Sequence, residues 1–389
     1  MQTLAKEALA ELTTNILPYW MHNMTDPCGG FYGRRDGRGV LDPDAPKGLI
    51  LNARILWSFS AAARVLGGQA YLETARRAAG EVMDKFCDAE YGGAYWSLDA
   101  AGRPLDTKKQ FYAIAFAIYG LAEYYRVAGE RKALDCAIEL YRCIDKYSRD
   151  AGRGGYLEAC ARDWSPLADM RLSDKDQNDA KTMNTHLHIL EGYTNLYRVW
   201  PDKQLGERLR EMIGLFLDRI VGDDGHLRLF FDEEWHQHGD IRSYGHDIEC
   251  SWLLWEAALV LGDESVIGRC REACPRIARA AMEGFTPGGG MICEWNLTSG
   301  VRHADRDWWV QAETVVGCVN QYQMTGEARW LEAARDAWTF IKEHLIAPDG
   351  EWIWSLRADG TPNLDDDRAG FWKCPYHNSR MCLELLARV

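Results

Sequence analysis

Three histidines, two glutamates, an arginine and a set of tryptophans stand where the sequence is otherwise turning apolar. They fall in short strings: Asn52-Ala53-Arg54-Ile55-Leu56-Trp57, Phe111-Tyr112, Asn184-Thr185-His186-Leu187-His188, Ser243-Tyr244-Gly245-His246-Asp247-Ile248-Glu249 with Trp252 just beyond, Trp308-Trp309-Val310-Gln311-Ala312-Glu313, and Trp372-Lys373-Cys374-Pro375-Tyr376-His377-Asn378. Asn184 and His188 are four apart, His246 and Glu249 three, Trp309 and Glu313 four. Those separations put two side chains on one face of a helix. Charge in apolar surroundings is costly unless it is paired or put to use. One face carrying Arg54, Asn184, His188, His246, Glu249, Glu313 and His377 therefore reads as a concave reaction site.

Several chemistries can be weighed against this set. Glu249 and Glu313 would serve as the acid and base of glycoside cleavage, but that leaves three histidines idle. His246 and Glu249 match a metal-ligand pair at i, i+3, yet a catalytic zinc needs a third ligand and an open position, and no HExxH string is present. There is no glycine-rich phosphate loop, so no cofactor or metal is expected. Proton transfer at a carbon beside a carbonyl uses the whole set. The base must be neutral with a pKa near the working pH, which histidine supplies. Inversion needs a second imidazole on the opposite face of the carbon, and His246 and His377 lie on different helices. Arg54, with His188, would meet the developing oxyanion. Glu249 and Glu313 would orient the imidazoles or hold hydroxyls, Trp rings would stack on a pyranose, and one histidine would protonate the ring oxygen to open it. Deuterium uptake at the reacting carbon is the test of this route.

Other conspicuous residues read as structural. His186 is out of phase with Asn184 and His188. His22, His226, His236, His238, His303 and His344 fall in loops or on outer helices and are expected to be solvated, and Asp365-Asp366-Asp367 sits in a Pro/Asn/Gly loop as a solvated turn.

The elements that must position the set come in six repeats. A glycine followed by alternating residues recurs at Gly29-Gly30-Phe31-Tyr32, Gly92-Gly93-Ala94-Tyr95, Gly154-Gly155-Tyr156-Leu157, Gly225-His226-Leu227, Gly288-Gly289-Gly290-Met291 and Gly350-Glu351-Trp352. Alternation after a turn predicts small β-hairpins. Between hairpins lie two stretches of 3.6-residue periodicity: 51–66 and 71–86, 111–127 and 131–147, 183–199 and 205–220, 248–261 and 266–282, 309–322 and 328–345. A first helix over 4–22 and a last over 376–387 complete twelve. Repeats of this size stack as an open solenoid or close into a ring. An open α-solenoid binding a peptide on its concave face would need polar end caps, whereas both end helices carry aromatics, Trp20 and Tyr376. The pattern predicts an (α/α)6 barrel over residues 1–389: one domain of six inner and six outer helices with short β-hairpins at one end, where all six polar strings collect.

Composition narrows the ligand. The net charge of -13 repels nucleic acid and anionic lipid, so a neutral sugar fits better. No apolar run of about 18 residues suggests a membrane span. Twelve cysteines without a CxxC pair, and a polar start at Met1-Gln2-Thr3, imply a reducing, cytoplasmic setting. The chain is expected to act as a monomer.

At these strings the sequence resembles the cellobiose 2-epimerase branch of the N-acylglucosamine 2-epimerase superfamily. The resemblance rests on Arg54-Ile55-Leu56-Trp57, Lys181-Thr182-Met183-Asn184 with Leu187-His188, the 243–249 string, the 308–313 string, and the 372–378 string running on to Arg380-Met381. It covers nearly the whole chain. It implies the same barrel, cofactor-free catalysis through a cis-enediol, and inversion at C2 of the reducing-end glucose of a β-1,4-linked disaccharide. By resemblance His246 and His377 form the acid/base pair and His188 is a third essential histidine. Arg54 and Asn184 hold the reacting end. Glu249 and Glu313 support the histidines and hydroxyls, Trp309 packs on the reacting ring, Trp372 holds the second sugar, and Tyr112 and Trp252 are further substrate-binding residues. Ile114 stands where the pattern would have Gln. Mannose 2-epimerases and mannose isomerases share much of the machinery and are the alternative.

Overall fold

In the computed structural model, which describes residues 1–173 and 176–389, helices alternate with very short paired strands. We number the helices α1 (residues 2–23, with a π turn at Leu12–Ile16), α2 (Leu49–Leu66), α3 (69–86), α4 (Phe111–Ala128), α5 (Arg131–Tyr147), α6 (Met183–Val199), α7 (203–220), α8 (Tyr244–Leu261), α9 (Glu264–Ala281), α10 (Trp308–Thr325), α11 (Ala328–His344) and α12 (Tyr376–Ala387). The expected twelve are present. Their boundaries differ most at α8, which starts at Tyr244 rather than Ile248. The polar run Gly245-His246-Asp247 hides helical periodicity, but tertiary burial selects the helix.

Two kinds of helix make two rings. The even-numbered helices are apolar nearly all round; in α2 every residue from Leu49 to Ala63 is buried. Such a helix must be enclosed. It is long and apolar enough to cross a membrane, yet it is 83% buried within the protein. The odd-numbered helices are one-sided: α5 buries Ala133, Leu134, Ala137, Ile138, Leu140, Tyr141 and Ile144 and leaves its other face to water. The inner ring runs α2, α4, α6, α8, α10, α12 and back to α2, each packed on the next. Small residues let these helices approach. A Cβ on Gly120 would lie 2.7 Å from the Ala53 carbonyl, one on Gly192 2.7 Å from that of Ala115, and one on Gly317 2.5 Å from Ile248. The chain starts with an outer helix and ends with an inner one, and these two, α1 and α12, pack together to complete the sixth pair.

The six glycine turns each form a bridge: Thr25 with Phe31, Cys87 with Ala94, Arg149 with Tyr156, Val221 with Leu227, Phe285 with Met291, and Ile346 with Trp352. Gly93 has φ +70, and a Cβ there would meet Trp164 at 2.6 Å, so only glycine makes this turn. The hairpin arms then pair antiparallel with the segments that lead into inner helices: Lys47-Gly48 with Ser97-Leu98, Lys109-Gln110 with Ala159-Cys160, Lys181-Thr182 with Phe230-Phe231, Ile241–Ser243 with Glu294–Asn296, and Arg306-Asp307 with Ser355-Leu356. Arg35 bridges Ala369 to close the circle. Buried lysines of these lead-ins fasten to the preceding turn: Lys47 to Asp26 at 2.7 Å, Lys109 to Asp88 at 2.8 Å, Lys181 to Asp150 at 2.9 Å. The start of every inner helix is thereby fixed in a strand-paired rim.

Candidate active site

The first turns of the inner helices converge on a cavity of about 580 Å³. Its walls include Arg54 of α2, Tyr112 of α4, Asn184 and His188 of α6, His246 and Glu249 of α8, Trp309 of α10 and His377 of α12, with Trp372 just before α12. All six helices point their amino ends at this space, where backbone N–H groups and helix dipoles favour negative charge.

The ring of Trp309 contacts two of the imidazoles. Its ring centroid lies 4.8 Å from that of His246 and 5.6 Å from that of His377. Gly245 makes this possible, since a Cβ there would strike the Trp309 ring at 2.6 Å. Each of the three histidines is held through Nδ1 by a partner that does not line the cavity: His246 by Ser243 Oγ at 2.8 Å, His377 by Glu313 Oε1 at 2.7 Å, His188 by Glu191 Oε2 at 2.9 Å. A carboxylate only accepts, so Nδ1 of His377 and His188 carries the proton and Nε2 keeps a lone pair. Burial pushes His246 down to about 3, and His188 also lies below the ordinary range because of burial. His377 is pushed well down by burial and by Arg54 and Arg380. All three are neutral imidazoles at neutral pH, the state a base requires.

Beneath the histidines lies a charge network centred on Arg380, which is fully buried. Its Nη2 donates to Glu249 Oε1 at 2.5 Å and Glu313 Oε1 at 2.6 Å, and its Nη1 to Glu191 Oε1, which also accepts from the Tyr376 hydroxyl. The guanidinium lies over the rings of Tyr376 at 4.1 Å and Trp252 at 4.7 Å. Burial, then the charge of Glu313, raises Glu249 to about 8, so it is protonated at neutral pH. Glu249, Glu313 and His377 offer atoms close enough to ligate a cation. Arg380 already bridges both carboxylates and His377 Nδ1 is engaged by Glu313, so an ion there would have to displace a guanidinium.

Arg54 has a different environment. Its Nη2 donates to the Tyr112 hydroxyl at 2.9 Å and Nη1 to the Trp372 carbonyl at 3.4 Å, and it lies over Phe116 at 4.2 Å and Tyr376 at 4.9 Å. The Asn184 carbonyl oxygen has no partner among the described residues.

The sequence placed Arg54, Tyr112, Asn184, His188, His246, Glu249, Trp309, Trp372 and His377 on this cavity, and the structure brings them together there. Three expectations are corrected. Trp252 and Glu313, expected to bind substrate, do not line the cavity: Trp252 is buried and donates to Glu313 Oε2 at 3.0 Å, and Glu313 supports His377, the other role expected of it. Their i+3 and i+4 spacing gave the helix face but not the depth. His226 is not solvated; it is buried, with Nδ1 2.7 Å from Asp247 and Nε2 3.3 Å from Glu283. The acidic run lines the mouth rather than simply facing solvent, and Asp367 accepts from Arg34 Nε at 2.8 Å. His186 stays out of the cavity, bonded to the Thr182 carbonyl and the Tyr156 N–H. Sequence reasoning missed Glu191 and the role of Arg380. Both lie three residues after a site histidine, His188 and His377, so the same i, i+3 rule would have found them.

A model of N-acylglucosamine 2-epimerase (GlcNAc 2-epimerase) matches residues 30–379. The chain belongs to that family. Among relatives, a cellobiose 2-epimerase of Bacteroides fragilis is 56% identical over 99% of both chains, and one of Ruminococcus albus is 40% identical over 99% of both. The solved cellobiose 2-epimerase from Bacillus thermoamylovorans B4167 superposes with a TM-score of 0.95 at 40% identity, covering 100% of each chain. In this family setting the barrel is the expected architecture.

Proposed function

We propose that this protein is a cofactor-independent sugar 2-epimerase that inverts C2 of the reducing-end glucose of β-1,4-linked disaccharides such as cellobiose and lactose. The observation that carries it is the pair of neutral imidazoles, His246 and His377, on different helices and both against the ring of Trp309. In the open-chain aldose the C2 proton is acidic because its removal gives an enediolate. One imidazole takes that proton through Nε2, and the electron pair moves onto the carbonyl oxygen O1. Arg54 and the helix amino ends stabilise the charge. The enediolate is planar at C2, so the other imidazole, once it has taken a proton from solvent on Nε2, delivers it to the opposite face to give the epimer, while the first imidazole releases the proton it took to solvent. The two histidines exchange roles in the reverse reaction. Protonated Glu249 is placed to hydrogen-bond a sugar hydroxyl.

The names of the similar proteins support the disaccharide reading, as do the cavity walls. Trp308, Trp354 and Trp372 extend apolar surface beyond the reacting centre, further than a monosaccharide such as mannose needs. The test is NMR of EDTA-treated protein with cellobiose in heavy water. A mannose residue at the reducing end, deuterated at C2, is expected. Conversion of free mannose without change in cellobiose would replace this reading with monosaccharide chemistry.

A further inference from the structure

Seven cationic side chains are buried among the described residues, and six have an acidic partner. Lys47, Lys109 and Lys181 hold their turn aspartates, Arg368 lies 2.6 Å from Asp349, Lys373 2.9 Å from Glu351, and Arg380 bridges three glutamates. Arg54 is the seventh. Its partners are neutral: a phenol, a carbonyl, the Cys374 thiol at 3.9 Å and three ring faces. Its Nε makes no hydrogen bond among the described residues. A buried cation without a counter-ion is costly, and this one borders the cavity at the amino ends of six helices, which add to the positive potential. The carboxylates near it belong to Arg380 instead.

We propose that Arg54 is a seat for a substrate-sized anion, and that the enzyme binds aldonic acids, the C1-oxidised open-chain forms of its disaccharides, more tightly than neutral sugars of the same length. This rests on the epimerase reading, in which negative charge develops on O1. An aldonate carries a permanent carboxylate at C1, so one oxygen lies where the enediolate oxygen forms. The corresponding alditol has the same open chain and hydroxyls but a neutral CH2OH. A charge-assisted bond to a guanidinium is about twice as strong as a neutral one. Aldonates formed by oxidation of the same disaccharides then act as competitive inhibitors. The mouth opposes anion entry, because Asp176, Asp365, Asp366 and Asp367 line it, with Asp365 paired to Arg357 and Asp367 to Arg34. Added salt screens that rim while leaving the enclosed contact, so association should speed up.

The test is calorimetric titration of the full chain at pH 7.5 with lactobionate and, separately, lactitol. Lactobionate is expected to bind about tenfold tighter. A ratio below threefold overturns the proposal. In Arg54→Gln, checked for an unchanged circular dichroism spectrum, the ratio is expected to collapse to near one; a retained preference also overturns it. The wild-type ratio decides the matter if the variant does not fold. Binding is measured without turnover, so the two readings fail separately. Turnover of cellobiose without aldonate preference removes only the anion seat. Aldonate preference without C2 exchange removes the epimerase reading and leaves the seat.

Discussion

The two ends of the barrel treat charge in opposite ways. At the carboxyl ends of the inner helices lies a cavity of about 830 Å³, larger than the candidate active site, lined by Arg126, Arg198, Arg388, Glu256, Trp255 and others. Arg64, Arg126 and Arg198 stand in the last turns of their helices, where a cation offsets the helix dipole. Each also has an acid: Arg64 is 2.5 Å and Arg126 2.8 Å from Glu123, Arg198 pairs with Glu256, and Arg388 is 3.0 Å from Glu384. That end is electrostatically complete. At the amino ends Arg54 has no acidic partner among the described residues, three neutral imidazoles and Glu249 face the space, and the aspartates lie at its mouth. Under the proposed function, the smaller cavity is the one prepared for a charge that arrives only in the transition state. Volume alone would have chosen the wrong end.

Breaking the active end should have the largest effect. His377→Asn keeps the size of the side chain but removes the base, and C2 exchange with cellobiose is expected to fall by about 10²–10⁴ in both directions. Retention of a tenth of the activity would remove His377 from the pair. Arg380→Met leaves Glu191, Glu249 and Glu313 buried without a cation. We expect a loss of about 3–5 kcal/mol in denaturant unfolding, accompanied by loss of turnover. A variant of unchanged stability would mean the carboxylates are satisfied in another way. Gly120→Val tests the ring that aligns both ends. Its side chain must displace the Ala53 backbone or the Leu56 side chain, costing about 1–3 kcal/mol. At the opposite end, Arg198→Gln removes a partly exposed pair and should change stability by about 0–1 kcal/mol, with kcat/KM unaltered. A marked drop in kcat/KM would mean that the two ends are coupled.

Proton linkage sharpens the contrast further. Glu249, raised to about 8, keeps its proton in the folded protein where the unfolded chain has lost it. Its contribution is complete at low pH and is lost as pH rises toward about 8. Glu249→Gln removes that dependence, so the urea midpoint of the variant relative to wild type should rise between pH 5 and pH 8.5. His246 has the opposite sign. Lowered to about 3, it stabilises above the unfolded histidine pKa and loses that contribution as pH falls toward about 3. For catalysis, His246 should impose no acid limb near pH 6.5 on kcat/KM.

Most of the architecture is readable from local pattern. Hairpin glycines followed by alternation, and two 3.6-residue periods between them, are consequences of backbone freedom and of how side chains project from each element. The aromatic faces of the end helices imply that α1 and α12 need each other. The i, i+3 and i, i+4 spacings put the site residues on inner faces. These features are local, so the sequence by itself determined them. Depth and pairing are not local. Whether Glu313 touches substrate or only His377, whether His226 is wet or clamped by Asp247, and which of seven buried cations lacks an acid depend on residues more than 20 positions away or on other helices. Only tertiary closure of the ring decided them, because the energy of a buried charge is set by what surrounds it in space rather than by its neighbours along the chain.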